Sequence, residues 1–322
     1  MELTSHAVVA EVKADFLIAL AAKGETVDEI AGFVRGLREL SIQPPLDGSV
    51  RASEILDVCG TGGDRLNTFN ISTTVSIIAA AAGIYVAKHG NRAITSQAGS
   101  ADVLEALGVK IDLTPAQAAA SLREHHFAFF FAPNYHPAFA AIGPARKLCA
   151  QQGRRTIFNF LGPLLNPARP TAQLIGVPQP RLCAPLASVL QALGMRRAMV
   201  VSGAVAGTDK YLDELSTLGD NTVAEFYQAR ALSESTFSPD DFPIQPATIA
   251  DLAGSDRNTN AEIVRRILRA EECGPKREAV LLNAAAALLL GHKARSLAEG
   301  WDLAARLIDS GQAMQKLLGI TS

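Results

Sequence analysis

Apolar positions recur at helical spacing through residues 8–41, where Val12, Phe16, Leu20 and Ala21 share one face and Gly24 marks a helix end. Thr26 opens a second helix, with Glu29 placed to complete a capping box. Residues 42–50 (IQPPLDGSV) hold two prolines, an aspartate and a glycine, and read as a linker and hinge behind a small helical unit. From Glu54 the texture changes. Residues 55–59 suit a short buried strand, a glycine cluster follows, 73–82 read as a helix closed by Gly83, and 84–88 as a second strand. Strand, loop, helix, strand is the unit from which parallel sheets are built. Residues 101–107 give a short helix ended by Gly108, and Thr114, Pro115 and Gln117 signal another helix start. The unbroken apolar run 127–131 suits a strand buried on both faces. Further strands are expected at 174–177, 198–202 and 223–226, a helix near 181–193, and C-terminal helices over 261–270, 278–290 and 296–310. This alternation predicts an α/β fold, with a largely parallel sheet flanked by helices and a smaller all-helical domain.

Composition narrows the function classes. A length of 322 residues fits one large domain plus a smaller one. With 48% apolar and 19% charged residues, the chain is globular and not disordered. Lys and Arg total 30 against 32 acids, which argues against a nucleic-acid footprint while leaving room for a local cationic pocket. Cys59, Cys149, Cys183 and Cys273 form no CxxC pair, so neither a disulfide framework nor a structural zinc site is expected, and a reducing compartment fits. The N-terminus lacks a basic-then-apolar signal profile, and no apolar run approaches the ~18–20 residues of a membrane span. The longest candidate, 281–290, is broken by Asn283, read as a helix-packing residue; Trp301 reads as core. These features point to the cytoplasm. His125, His126 and His136 form no HExxH array, and there is no GxSxG nucleophile elbow.

Several strings could carry chemistry. In Asp57-Val-Cys-Gly60-Thr-Gly62-Gly63-Asp64, glycines just after a strand can present successive N–H groups to phosphate oxygens; the alternative is a structural turn. Asn70-Ile-Ser72-Thr73 follows at a helix start, whose free N–H groups favour an anion. The pattern is neither a Rossmann fingerprint nor a Walker A loop. Lys88-His89-Gly90-Asn91-Arg92 ends the second strand, where ligands of parallel sheets bind, although such a string can also be a solvated turn. Gly99-Ser100 offers a further helix-terminus anion contact. Asp213-Glu214 is either a solvated acidic pair or a magnesium site completed by substrate phosphates. Arg146 is either a surface charge or a clamp for a substrate carboxylate.

Together these strings resemble the anthranilate phosphoribosyltransferase family. The resemblance runs through Lys23–Thr26, the GTGGD loop at 60–64, residues 70–73, 88–92 and 99–108, Thr156–Asn159, Leu161–Leu164, Asn166-Pro167 and Leu212–Ser216. It implies a small helical domain, formed by residues 1–48 with part of about 126–150, and a large α/β domain formed by 51–125 and 151–322. It also implies a homodimer joined through the helical domains, with no nucleic-acid or membrane partner. The implied reaction is attack of the anthranilate amine on C1 of phosphoribosyl pyrophosphate, with pyrophosphate leaving, in tryptophan biosynthesis. Residues matching the family's donor contacts are Gly60, Gly63, Asp64, Thr68, Asn70, Ile71, Ser72, Thr73, Lys88, His89, Gly90, Asn91, Arg92, Ser96 and Ser100. Gly60, Asn91 and Arg146 match its anthranilate positions; Ser72, Asp213 and Glu214 match its Mg2+ positions. No side chain is expected to be an indispensable general base. The chain departs from the family at 96–100, where Ser-Gln-Ala-Gly-Ser replaces Ser-Lys-Ser-Gly-Ser, in the length of 147–155, and at 203–211. A related phosphoribosyltransferase for another aromatic acid, and a non-catalytic nucleic-acid-binding paralogue, are the competing expectations.

Overall fold

The structure, a computed structural model, describes residues 2–93, 97–228 and 231–321. Eight strands form its sheet: β1 (Ile55–Gly60), β2 (Tyr85–Gly90), β3 (Phe127–Phe131), β4 (Ala172–Gly176), β5 (Arg197–Ala204), β6 (Tyr211–Leu212), β7 (Asn221–Tyr227) and β8 (Ser233–Phe237). The spatial order is β3-β2-β1-β4-β5-β7-β8, with β6 paired to β5. From β3 to β5 every pairing is parallel, and from β5 outward every pairing is antiparallel. The largely parallel sheet flanked by helices agrees with the sequence pattern. The parallel strands read as apolar runs because both faces are covered. Strand β8 (SESTF) is largely exposed and carries no apolar alternation, which is why the pattern did not announce it.

Strand periodicity divides the interior. Leu174, Met199 and Val201 point into one core, with the helices Ile71–Ala81 and Pro275–Leu290. Their neighbours Ile175 and Val200 point into another, which continues through the helix Cys183–Ala192 to Leu17, Ile30, Val34 and Leu37 of the N-terminal helices. Full burial of each such side chain stabilises by roughly 1.5–3 kcal/mol. The N-terminal helices Ala10–Lys23 and Val27–Glu39 thus share a core with the helix Phe139–Gln151 and with the sheet.

Local signals act as the sequence suggests. Thr26 Oγ1 accepts the Glu29 N–H at 3.2 Å while Glu29 Oε2 accepts the Thr26 N–H at 2.9 Å. Thr114 and Gln117 form the same box, with Pro115 in the first turn. Several boundaries move by a few residues, two of them for reasons visible in their hydrogen bonds. Residues 48–50 of the expected linker belong to the helix Gly48–Ala52, capped by Asp47 Oδ1 on the Val50 N–H at 3.0 Å. The helix expected from residue 73 begins at Ile71, because Asn70 ends the extended segment while its side chain bonds sideways, Nδ2 to Ala98 O and Oδ1 from Asn260 Nδ2. Among the described residues no helix is long and apolar enough to cross a membrane.

Candidate active site

Strands β1, β2 and β4 end in glycine, at Gly60, Gly90 and Gly176, and Gly203 is the penultimate residue of β5. Gly60 and Gly176 are register partners. A Cβ at Gly60 would overlap Asp213 Oδ2, and one at Gly176 would overlap the Asp213 carbonyl. Bare strand tips therefore let the segment 213–216 lie directly across the carboxyl end of the sheet. Parallel sheets bind ligands at this end.

The glycine loop rises beside that segment, with Gly62 and Gly63 at φ +74° and +92°. The Gly62 N–H donates to Asp213 Oδ2 at 2.6 Å, and the Ser72 N–H, in the first turn of the helix Ile71–Ala81, donates to Glu214 Oε1 at 3.2 Å. Lys88 Nζ donates to Val58 O at 2.7 Å and Ser72 Oγ at 3.3 Å. Its ammonium is 1% exposed and has no carboxylate within salt-bridge distance among the described residues. Burial lowers its pKa, and Asp57 and Glu214 oppose that shift. Burial pushes Glu214 up to about 7 against the pull of Lys88 and the Ser72 N–H. Asp213 is raised well above the carboxylate range by burial and by the charges of Asp64 and Glu214. Lys88, Ser72, Asp64, Asp213 and Glu214 thus form one cluster beside the glycine loop, with more negative charge than the site accommodates unaided.

The remaining sequence-derived residues divide. Ser100 begins the helix Ser100–Ala106 with its Oγ where a Gly90 Cβ would lie, which joins it to the tip of β2. Asn91 O accepts the Ala101 N–H at 3.4 Å, and Asn91 Oδ1 accepts the Arg92 N–H at 2.8 Å. The Arg92 guanidinium lies outside the cluster, paired with Asp102 at 3.1 Å and Glu105 at 3.0 Å. Ile71 and Thr73 are buried, and the Thr73 hydroxyl has no hydrogen-bond partner, so toward the cleft these residues offer backbone only. Thr68 forms a bridge with Ala253. Ser96 lies outside the described residues.

A row of rings leads from β2 to Arg146. His89 Nε2 lies 3.1 Å from His136 Nε2, His136 meets Phe139 at 5.6 Å between centroids, and Arg146 lies over Phe139 at 5.7 Å and Phe158 at 5.4 Å. Arg146, on the helix Phe139–Gln151, has no ion-pair partner among the described residues. Burial lowers its pKa. It is a cation held by aromatic faces.

The sequence reading passed over the support beneath this cluster. Asp57 is buried, with Oδ2 accepting from Asn166 Nδ2 at 2.9 Å and Gln173 Nε2 at 3.3 Å; Asn166 also reaches Ala87 O at 2.7 Å. The Asn166-Pro167 string was noted only as a resemblance, and no spacing rule connects it to Asp57.

The histidine pair carries a pH prediction. Burial depresses His89 to about 3 and His136 to about 4, so below the unfolded value near 6.5 the unfolded chain takes up protons that the folded chain refuses. Their contribution to stability is complete above ~6.5 and is lost as the pH falls, at ~1.4 kcal/mol per pH unit for each histidine. Asp57, which burial pushes up to about 6, acts with the opposite sign in the same interval, so the effect is read as a difference. Urea unfolding between pH 7.5 and 5 should show wild type losing stability faster than His136→Asn; parallel curves would show that the pair titrates normally.

The fold and the strand-end cluster define a glycosyl-transfer enzyme class built from a helical bundle and an α/β domain. Residues 52–314 match the glycosyl transferase family, a/b domain, and residues 5–41 match the glycosyl transferase family, helical bundle domain. The anthranilate phosphoribosyltransferase of Lacticaseibacillus casei is 47% identical over 304 residues, covering 94% of this chain and 85% of that protein. That of Methanocorpusculum labreanum is 47% identical with the same coverage. The chain belongs to the anthranilate phosphoribosyltransferase family. The crystal structure of the Thermus thermophilus enzyme superposes with a TM-score of 0.88 at 38% identity, covering 99% of this chain and 91% of that one. The Saccharomyces cerevisiae enzyme in complex with PRPP and Mg gives 0.84 at 27% identity, covering 96% and 83%.

Proposed function

We propose that this protein transfers the phosphoribosyl group of phosphoribosyl pyrophosphate to the amine of anthranilate, releasing pyrophosphate, in tryptophan biosynthesis. The observation that carries the reading is the Asp213–Glu214 pair laid across glycine strand tips beside the buried, unpaired Lys88. The relatives named above act in this reaction, and a yeast relative was solved with 4-fluoroanthranilate.

Mg2+ fits the residues present. Among the described residues no three acidic, histidine or cysteine side chains converge closely enough to bind an ion alone. Mg2+ is commonly held through one or two carboxylates plus substrate phosphates, and Asp213 and Glu214 carry charge that burial opposes and a cation relieves. We assign Asp213, Glu214 and Ser72 to it. When bound, it neutralises charge on the diphosphate. The other residues act directly. The loop amides at Gly60–Asp64 and the helix start at Asn70–Thr73 receive phosphate oxygens, with Thr68, Lys88, His89, Gly90, Asn91, Ser96 and Ser100 completing the donor site, while Asp102 and Glu105 hold the Arg92 guanidinium outside it. Lys88 supplies positive charge whose attraction strengthens as the C1–O bond breaks and its electrons leave with the pyrophosphate oxygen. Gly60, Asn91 and Arg146 hold the acceptor, Arg146 on its carboxylate, which aims the amine at C1 as the C1–N bond forms.

We assign residues 1–48 with part of about 126–150 to the helical domain, and 51–125 with 151–322 to the α/β domain. Val9, Val12 and Phe16 are 48–60% exposed on the first helix and its lead-in, a face suited to a homodimer contact. The cytoplasm is the assigned compartment.

Anthranilate fluorescence tests the reading: a loss that requires protein, Mg2+ and donor together supports it, and undiminished fluorescence overturns it. Arg146→Ala should raise the anthranilate KM about tenfold or more, the value of a charge-assisted hydrogen bond, while the donor KM changes less than about threefold. Equal changes would remove Arg146 from the acceptor site.

A further inference from the structure

The backbones of two consecutive residues directly after Glu214, Leu215 and Ser216, are gripped by two buried asparagines. Asn283, on the helix Pro275–Leu290, accepts the Leu215 N–H on Oδ1 at 2.9 Å and donates from Nδ2 to Leu215 O at 2.9 Å, with a second bond to Ala279 O at 2.9 Å. Asn221, at the start of β7, accepts the Ser216 N–H on Oδ1 at 2.7 Å and donates from Nδ2 to Ser216 O at 2.9 Å. Both asparagines are fully buried. Each amide gives one residue's N–H and C=O the acceptor and the donor that a neighbouring strand would supply. Ser216 Oγ adds a bond to Ala204 O at 2.7 Å.

We propose that Asn283 and Asn221 are positioning residues for the Asp213–Glu214 pair. Among the described residues, the acids themselves are anchored only through the glycine loop and the following helix start: Asp213 by the Gly62 N–H and Asp64, Glu214 by the Ser72 N–H and hydroxyl. Fixing Leu215 and Ser216 at both backbone polar atoms sets the carboxylates before any cation arrives. An aspartate at either position fills the same volume but loses the amide donor, leaving a carbonyl unpaired in the interior. Preorganisation of this kind appears in cation and donor binding more than in acceptor binding.

The inference rests on the reading of Asp213 and Glu214 as the metal pair, and its test separates the two. Mn2+ binding is measured by electron paramagnetic resonance in the presence of phosphoribosyl pyrophosphate, with wild type, Asn283→Asp, the milder Asn283→Ser and Asn221→Ser, and with Leu288→Ala as a control of comparable destabilisation on the same helix. Thermal melts establish that each variant is folded. The expected result is Mn2+ affinity and donor KM weakened about tenfold in the folded asparagine variants, anthranilate KM within about threefold of wild type, and Leu288→Ala unchanged in both. Folded asparagine variants that bind Mn2+ as wild type does, or a Leu288→Ala that loses as much, overturn the positioning role. Wild type that binds no Mn2+ overturns the metal assignment, and the positioning role with it.

Discussion

Asp213→Asn should lower kcat/KM for phosphoribosyl transfer by about a thousandfold and, without divalent cation, raise the melting temperature. The two effects share one origin. In the folded protein the Asp213 carboxyl is buried and faces the charges of Asp64 and Glu214, which raise its pKa well above the carboxylate range. At pH 8 the unfolded chain carries this charge in water without penalty, so ionisation favours unfolding. Asparagine keeps an oxygen for the Gly62 N–H, which Asp213 Oδ2 now accepts at 2.6 Å, and removes the charge. The same change deprives a cation of a ligand and leaves the diphosphate to the loop amides and Lys88 alone. Glu214→Gln should behave alike with a smaller gain in stability, because Lys88 and the Ser72 N–H already offset its charge. Melting curves in chelator, paired with steady-state rates, check the prediction. A variant that melts lower and retains activity would show that the repulsion is not real and the pair not functional.

This trade between function and stability explains which parts of the molecule the sequence disclosed. Elements driven by burial were legible. The FAFFF run is strand β3, the helical spacing of Val12, Phe16, Leu20 and Ala21 falls on the first helix, although Val12 and Phe16 are exposed and Leu17 is buried instead, and the Thr26 and Thr114 boxes start their helices. Motif strings located the cluster, since Gly60–Asp64, Lys88 and Asp213-Glu214 do converge. What stayed hidden is whatever depends on distant chain segments. Arg92 reads as a site cation from its string, yet Asp102 and Glu105 claim its guanidinium. Asn283 reads as packing, which is true of its helix but omits the Leu215 peptide, 68 residues away in sequence, that it holds. Strand β8 has no apolar signature because its side chains face solvent at the sheet edge. Local pattern records what an element buries, whereas a polar clamp is defined only once both partners are placed.

Gly176 is the sharpest case, and Gly176→Ala should cost about 2–4 kcal/mol and lower kcat/KM about a hundredfold. At the end of AQLIG it resembles any residue closing a buried strand, and it has no left-handed φ to require glycine. The requirement is contact. An added Cβ would enter the Asp213 carbonyl and crowd the Glu214 N–H, both backbone atoms that cannot swing aside as a side-chain tip can. The strand end is fixed by β1 and β5, and Gly176 O also accepts the Thr61 N–H at 2.9 Å. The segment 213–216 must therefore move, against the grip of Asn283 and Asn221, and the acids move with it. A displacement of about 1 Å at groups that align a reaction is enough for a hundredfold loss. Gly319→Ala is the matched control: it lies within the helix Gln312–Thr321 with nothing within 4 Å of an added Cβ, so it should leave the rate unchanged and the melting temperature equal or higher. Differential scanning calorimetry and donor-saturation kinetics on the two variants decide the matter. A Gly176→Ala protein as stable and as active as Gly319→Ala would show that segment 213–216 does not rest on the strand tips, and the assignment of the acid pair to this end of the sheet would fall.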